Sequence, residues 1–284
     1  MATNPGLRTV LGGLTFPEGP RWHDGRLWFS DFYTRRVIAL LDDGWAETMA
    51  HVPQQPSGLG WRPDGTMLVV SMLDRRLMKL ERGTLSMVAD LGAIAGGPCN
   101  DMVVDGLGRA YIGNFGFDRH AGESERAAVL ARVDLDGSVH RAADGLMFPN
   151  GAVITPDGKR MIIGETLAHR LTSFDIGADG TLSNRRVFAQ FGDVWPDGIC
   201  LDAEGGIWVA DPRGHRVIRA KEGAGVVETI RMAEGRHAFA CMLGGADRKT
   251  LYICTSTASG PAMANKRDGA IEAVQVDVPG AGLP

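Results

Sequence analysis

The chain has only four cysteines in 284 residues, and Cys99, Cys200, Cys241 and Cys254 show no Cys-x-x-Cys spacing. Their sparseness argues against a disulfide-stapled scaffold and offers neither a zinc nor a redox motif. They read as small buried hydrophobes in a reduced, cytoplasmic protein. No apolar run reaches the roughly 18 residues of a membrane span. Residues 1–15 also lack the charged-then-apolar order of a secretory leader. A formal net charge of −4 argues against a nucleic-acid surface. No Pro/Ser-rich linker or charge run divides the chain. Gly-x-Ser-x-Gly, an ordered Ser/His/Asp set and a Cys/His nucleophile signature are all missing. Gly12-Gly13 and Gly96-Gly97 are lone glycine pairs that do not make a phosphate loop.

What the chain does contain is a stretch that recurs six times. Its clearest copy runs from Trp195-Pro196-Asp197-Gly198 through an apolar strand, a Glu-Gly-Gly turn and a second apolar strand ending at Asp211. Four further copies start at Phe16-Pro17-Glu18-Gly19, Gln55-Pro56-Ser57-Gly58, Pro98-Cys99-Asn100-Asp101 and Phe148-Pro149-Asn150-Gly151, and a degenerate sixth at Phe239-Ala240-Cys241. The residue at position X of this Pro-X-Gly corner is thus Glu18, Ser57, Asn100, Asn150, Asp197 or Ala240, at spacings of 39, 43, 50, 47 and 43.

A period of roughly 40–50 residues holding four strands' worth of sequence is a β-propeller signature. A third strand follows each second one, and a fourth follows in most units. The last unit ends after its third, near Ala270 to Val276. The expectation is an all-β, six-bladed propeller of four-stranded antiparallel blades, forming one domain over 1–284. Blades should begin near 16, 55, 98, 148, 195 and 238, with residues 8–14 supplying the outer strand of the last. Trp28 and Trp208 fall in second strands and read as packing between blades.

Propeller geometry turns the repeat into a site. First strands line the central channel, so a residue just before each of them projects into its mouth. Six residues distant in sequence become one ring, and four of them carry carboxylate or amide oxygens. Glu18 is not a turn former, so turn propensity does not explain the slot. Oxygen ligands with two carboxylates suit a hard divalent cation, whose charge Glu18 and Asp197 would balance. Without one, the two carboxylates would repel and raise each other's pKa.

The blocks Phe-Pro-Glu-Gly-Pro-Arg-Trp (16–22), Cys-Asn-Asp (99–101), Phe-Pro-Asn-Gly (148–151) and Trp-Pro-Asp-Gly-Ile (195–199) resemble those of the senescence-marker-protein/gluconolactonase (regucalcin-like) family. The resemblance spans essentially the whole chain. It implies a six-bladed propeller with a divalent metal near the axis and hydrolysis of sugar lactones. By resemblance the metal ligands are Glu18, Asn150 and Asp197, and Asn100 contacts substrate. Asp197 is the implied general base, with Glu18 its competitor. Calcium is the first expectation for the cation, with zinc, manganese and magnesium as alternatives. Aldonolactonases of the family often carry an Arg two residues before that Asn; the position here is Pro98, a departure that argues against gluconolactone itself.

Substrate choice is expected to lie in the loops between second and third strands. Most are short, but 114–127 and 255–268 are long and read as lids, with Phe117, Arg119 and His120 as candidate substrate contacts. The second lid is expected to govern preference more than stability. His237 reads as a hydrogen-bonded channel histidine, and His23 and His51 as solvated. The reading is a divalent-metal-dependent lactonase acting on a small molecule, monomeric or weakly self-associating, with no nucleic-acid or membrane partner. A phosphotriester hydrolase on the same metal and a non-enzymatic calcium-binding propeller are the alternatives.

Overall fold

The computed structural model describes residues 6–41, 44–119 and 121–282. It contains six four-stranded antiparallel sheets. Blade 1 comprises Pro17–His23, Arg26–Asp31, Arg36–Leu40 and Ala46–His51. Blade 2 comprises Pro56–Trp61, Met67–Ser71, Arg76–Glu81 and Thr84–Asp90. Blade 3 comprises Cys99–Val104, Ala110–Asn114, Ala128–Val133 and Val139–Leu146. Blade 4 comprises Pro149–Ile154, Arg160–Glu165, Arg170–Ile176 and Leu182–Gln190. Blade 5 comprises Ile199–Leu201, Ile207–Asp211, Arg216–Lys221 and Gly225–Arg231. Blade 6 comprises His237–Gly244, Thr250–Ser256 and Gly269–Gln275, and its outer strand is Arg8–Leu14 from the other end of the chain.

The burial of each strand follows its rank from the axis. Second strands such as Met67–Ser71 and Ile207–Asp211 are buried at every position, because both of their faces meet neighbouring blades. Outer strands such as Leu182–Gln190 are mostly exposed. The core is therefore divided among the seams between blades, with Trp208 filling the seam between blades 5 and 6 and Trp28 that between blades 1 and 2. All four cysteines are free and buried in these seams. Among the described residues no helix is long and apolar enough to cross a membrane.

One detail differs from the sequence reading. Only Asp197 precedes its first strand; the other five X residues lie inside theirs. In blades 1 to 4 the first-to-second-strand ladder opens at or next to the corner, as in Pro17↔Asp31 and Pro149↔Glu165, and then shifts register just after X. An irregularity of this kind re-aims a side chain that regular pleating would turn into a seam. X reaches the channel from within the strand for that reason.

Closure rests on Arg8–Leu14, which pairs antiparallel with Gly269–Gln275 from Arg8↔Ala273 to Leu14↔Gly269. Leu14 is 4% exposed, and Val10 and Leu11 pack against the same core. Removing residues 1–14 would forfeit that burial and bare the edge of the third strand. At about 25 cal/mol per Å² the apolar loss is on the order of 3 kcal/mol, worth roughly 5 °C in Tm. Differential scanning calorimetry should show a drop of that size; a truncated chain melting with the full-length one would mean the ring closes without this strand.

Candidate functional site

Each corner is fixed before its X residue reaches the channel. In three blades the last residue of the second strand is a fully buried carboxylate: Asp31, Glu165 and Asp211. Each accepts a backbone N–H one or two residues ahead of the proline: Phe16 N at 2.8 Å, Met147 N at 2.8 Å and Trp195 N at 3.1 Å. Each also pairs with the arginine five residues on, Arg36, Arg170 or Arg216. Burial alone would push the Glu165 carboxyl up, but hydrogen bonds from Arg170, Thr172 and Met147 N–H outweigh it and hold the group below its ordinary range. These are blades 1, 4 and 5, the ones that supply Glu18, Asn150 and Asp197.

The glycine after X has a different cause. Neighbouring first strands converge on the axis, and a Cβ at Gly151 would lie 2.8 Å from Gly198 Cα and 2.9 Å from the Asp197 carbonyl oxygen. In blade 3 the slot holds Asp101 instead. Its Oδ1 accepts from Arg21 Nη2 at 2.7 Å, a buried ion pair linking blades 1 and 3 beneath the ring. Burial pushes Asp101 up, against the opposing charge of Arg21. The sequence reading missed this pair; a carboxylate in a glycine slot was the available signal.

The X residues meet at one end of the channel and form a chain of donors. Ser57 Oγ donates to Asn100 Oδ1 at 3.2 Å, and Asn100 Nδ2 donates to Asn150 Oδ1 at 2.9 Å. Asn150 in turn hydrogen-bonds the Asp197 carboxylate. Thr166, which donates to the Pro196 carbonyl at 2.6 Å, accepts from Asn150 Nδ2 at 3.3 Å. Glu18 closes the set from blade 1, its Oε2 accepting from Gly19 N at 3.1 Å. Ala240 contributes no polar atom.

Both carboxylates are half-buried, open only to the cavity above them. Burial, then repulsion from Asp197, pushes Glu18 well above the ordinary range. Burial likewise pushes Asp197 up to about 8, against the hydrogen bond from Asn150. Among the described residues no three His, Cys, Asp or Glu side chains are grouped to hold a metal ion, so a cation here would need carboxylate and amide oxygens together. The donor set fits one: the oxygens are hard, and the two acids, once ionised, would carry a charge of −2 that a divalent ion would balance.

A cavity of about 710 Å³ stands over this floor. Phe16, Phe32, Phe115, Phe117, Phe148 and Phe239 form one buried cluster around it, with Met72 and Met263. Both long loops reach the wall, through Phe115–Arg119 and Ala258–Pro261. Arg119 lies at the rim, exposed, close enough for its charge to oppose in part the burial that pushes Asp197 up and Tyr33 up to about 12. His120 lies outside the described residues. His237 lines the cavity and its Nδ1 donates to the Pro212 carbonyl at 2.8 Å.

Two readings need correction. His23 is not simply solvated: its ring stacks on Trp61 at 4.1 Å, and burial lowers its pKa. The 255–268 segment is not a loose lid. It carries a 3-10 turn, Pro261–Asn265, whose Met263 is fully buried in the aromatic cluster, so its removal would cost stability.

The family model for the SMP-30/Gluconolactonase/LRE-like region matches residues 16–257. The chain is 31% identical over 291 residues to the 6-deoxy-6-sulfogluconolactonase of Pseudomonas putida, covering 97% of this chain and 94% of that protein. It is 28% identical over 278 residues to pentonolactonase XacC of Haloferax volcanii, covering 92% of this chain and 88% of that protein. The solved structure of a calcium-binding protein, regucalcin, from Agrobacterium tumefaciens superposes with a TM-score of 0.82 at 23% identity, covering 100% of this chain and 99% of that one. At that identity the likeness carries the fold alone.

The raised carboxyls set a pH dependence for protein stripped of divalent cations. Between the unfolded carboxylate pKa, about 4, and the raised folded values, the native state binds more protons than the unfolded one, so stability falls as pH rises. In excess chelator, Tm should therefore decline from pH 5 to pH 8. Glu18→Gln and Asp197→Asn should each flatten that slope, and a slope unchanged in both would show that the two acids do not strain the fold.

Proposed function

This chain belongs to the SMP-30/gluconolactonase/LRE-like family, and from that premise we propose that it hydrolyses a lactone with the help of one divalent cation. The observation that carries the reading is the meeting of two half-buried carboxylates and two amides at the bottom of a single deep cavity. Glu18, Asn150 and Asp197 would hold the cation; Asn150 points its Oδ1 at Asn100 and its NH2 at Thr166 and Asp197, so its amide would turn to present the oxygen to the ion. A bound divalent ion supplies Lewis-acid polarisation of a carbonyl and offsets the negative charge that develops on it. Calcium leads among the candidates, in keeping with the calcium-binding regucalcin that shares the fold; zinc, manganese and magnesium also suit oxygen donors.

The protein's own part is proton transfer and orientation. The Asp197 carboxylate takes a proton from the attacking water as its oxygen bonds to the lactone carbonyl carbon. Cleavage of the ring C–O bond then leaves an alkoxide, to which Asp197 returns the proton, giving a hydroxy acid. Water is thereby added across the ring C–O bond, its hydroxyl on the carbonyl carbon and its proton on the alkoxide, with no other reactant. Asn100, held by Ser57 on one side and Asn150 on the other, orients the substrate through its amide. Arg119 at the rim, with His120 beside it in the sequence, would contact substrate and draw off the acid product.

Asp197→Asn should lower kcat/KM for lactone hydrolysis by about 1,000-fold, within the usual range for losing a general base, while Tm in chelator stays at or above that of the unaltered protein. Dialysis against chelator should stop turnover, and calcium or manganese should restore it. Full turnover in the variant would remove Asp197 from the chemistry. Tight calcium binding with no turnover of any lactone would leave only a non-enzymatic calcium-binding role.

A further inference from the structure

The cavity is layered by polarity, and the repeat itself builds the layers. The floor is the ring at X. Two residues earlier in each corner stand Phe16, Gln55, Pro98, Phe148 and Trp195, all of which line the cavity; the sixth counterpart, Ala238, is fully buried. None of the five is charged. The lone amide among them, Gln55, spends its Nε2 on Met72 Sδ at 3.0 Å. Two more polar wall groups are turned to protein partners, Thr166 to the Pro196 carbonyl and His237 to the Pro212 carbonyl, which leaves the Tyr33 hydroxyl as a polar group higher on the wall. The charged liners Arg119, Glu123, Glu125 and Arg213 are all exposed, at the rim.

Backbone strain marks the same belt. Gln55 and Phe148 both adopt positive φ, 72° and 57°, although each precedes a proline. A bulky residue in that region is a genuine outlier, and a following proline disfavours it further. The carbonyl of each is held by the loop after the second strand: Gln55 O accepts from Met72 N at 2.8 Å, and Phe148 O from Thr166 N at 3.1 Å. Strain that its surroundings enforce in this way gathers at functional walls. At Phe148 it sets the ring against Phe115, stacked at 4.5 Å and 14°, on one side of the floor. Phe16 and Phe239, 4.6 Å apart, stand on another.

Resting on the lactonase reading above, we infer that the substrate is a lactone bearing an apolar substituent, an aryl or medium alkyl group, that this aromatic belt encloses. A lactone ring seated on the amide and carboxylate floor has to pass its substituents through the belt. Hydroxyl groups there would be stripped of water and offered few free partners, whereas a phenyl or pentyl group would be enclosed. The volume suffices for a five- or six-membered ring plus such a group.

The test compares kcat/KM, with calcium supplied, for γ-butyrolactone, γ-phenyl-γ-butyrolactone, γ-nonalactone, D-xylono-1,4-lactone and D-glucono-1,5-lactone. The phenyl compound should exceed the unsubstituted ring on the order of 100-fold, and both apolar compounds should exceed both sugar lactones. Sugar lactones turned over faster than the apolar ones would overturn the inference and leave the lactonase reading standing. Phe148→Ala, with Phe117→Gln as a second variant should the first not fold, should cut the phenyl-to-unsubstituted ratio roughly 10-fold. That ratio is insensitive to the fraction of folded enzyme, and an unchanged ratio in both variants would overturn the inference. Calorimetric titration with 3-phenylcyclopentanone, which cannot be hydrolysed, separates the two claims. Saturable binding without turnover of any lactone would keep the apolar belt and sink the lactonase reading; no saturable binding would sink the belt.

Discussion

A buried carboxylate at the end of the second strand, gripping the backbone N–H ahead of the proline corner, is the interaction on which the channel mouth depends. It recurs as Asp31, Glu165 and Asp211, each backed by an arginine five residues on. The grip fixes where the first strand begins, and the register shift that follows turns X toward the axis. The glycine after X then lets neighbouring strands approach until their backbones nearly touch. A ring assembled this way cannot relax by moving one strand, since every first strand is wedged between two others. Repelling acids can therefore be held together in it, at the expense of stability, as an unstiffened loop could not hold them.

Polarity in the cavity then follows from position in the repeat. X builds a floor of oxygens, and the residue two places earlier builds a belt of three rings, a proline and a glutamine. The loops beyond the second strand add further aromatics and, at the rim, the charges. One short corner thus sets both the chemistry available at the bottom and the kind of group tolerated above it. The relatives named as lactonases act on sugar-derived rings by their names, and Pro98 is the corner position where this chain departs from the pattern its other corners share with the family.

Much of this was legible in the sequence because the repeat is regular. The period gave six blades, closure by residues 8–14 and the convergence of Glu18, Ser57, Asn100, Asn150 and Asp197. What stayed hidden depends on partners distant in sequence. Arg21 and Asp101 are 80 residues apart, and only their juxtaposition across the channel shows a buried ion pair. Met263 sits in a polar, glycine-containing segment that looks solvated, yet its side chain completes an aromatic cluster built from other blades. His23 looks like a turn residue until Trp61 of the next blade stacks on it. The belt was written into the corners all along. Residues before a proline, however, carry no periodic hydrophobic signal, and their direction depends on φ values that propensity alone would not assign to phenylalanine or glutamine.

On this reading oxygens from blades 1, 4 and 5 would hold one doubly charged ion on the axis. Crystals grown with manganese, measured for anomalous scattering at the metal edge, test it directly. The account predicts a single strong peak in the channel mouth within about 2.0–2.6 Å of oxygens from Glu18, Asn150 and Asp197. No peak there, or one bound by other residues, would contradict it.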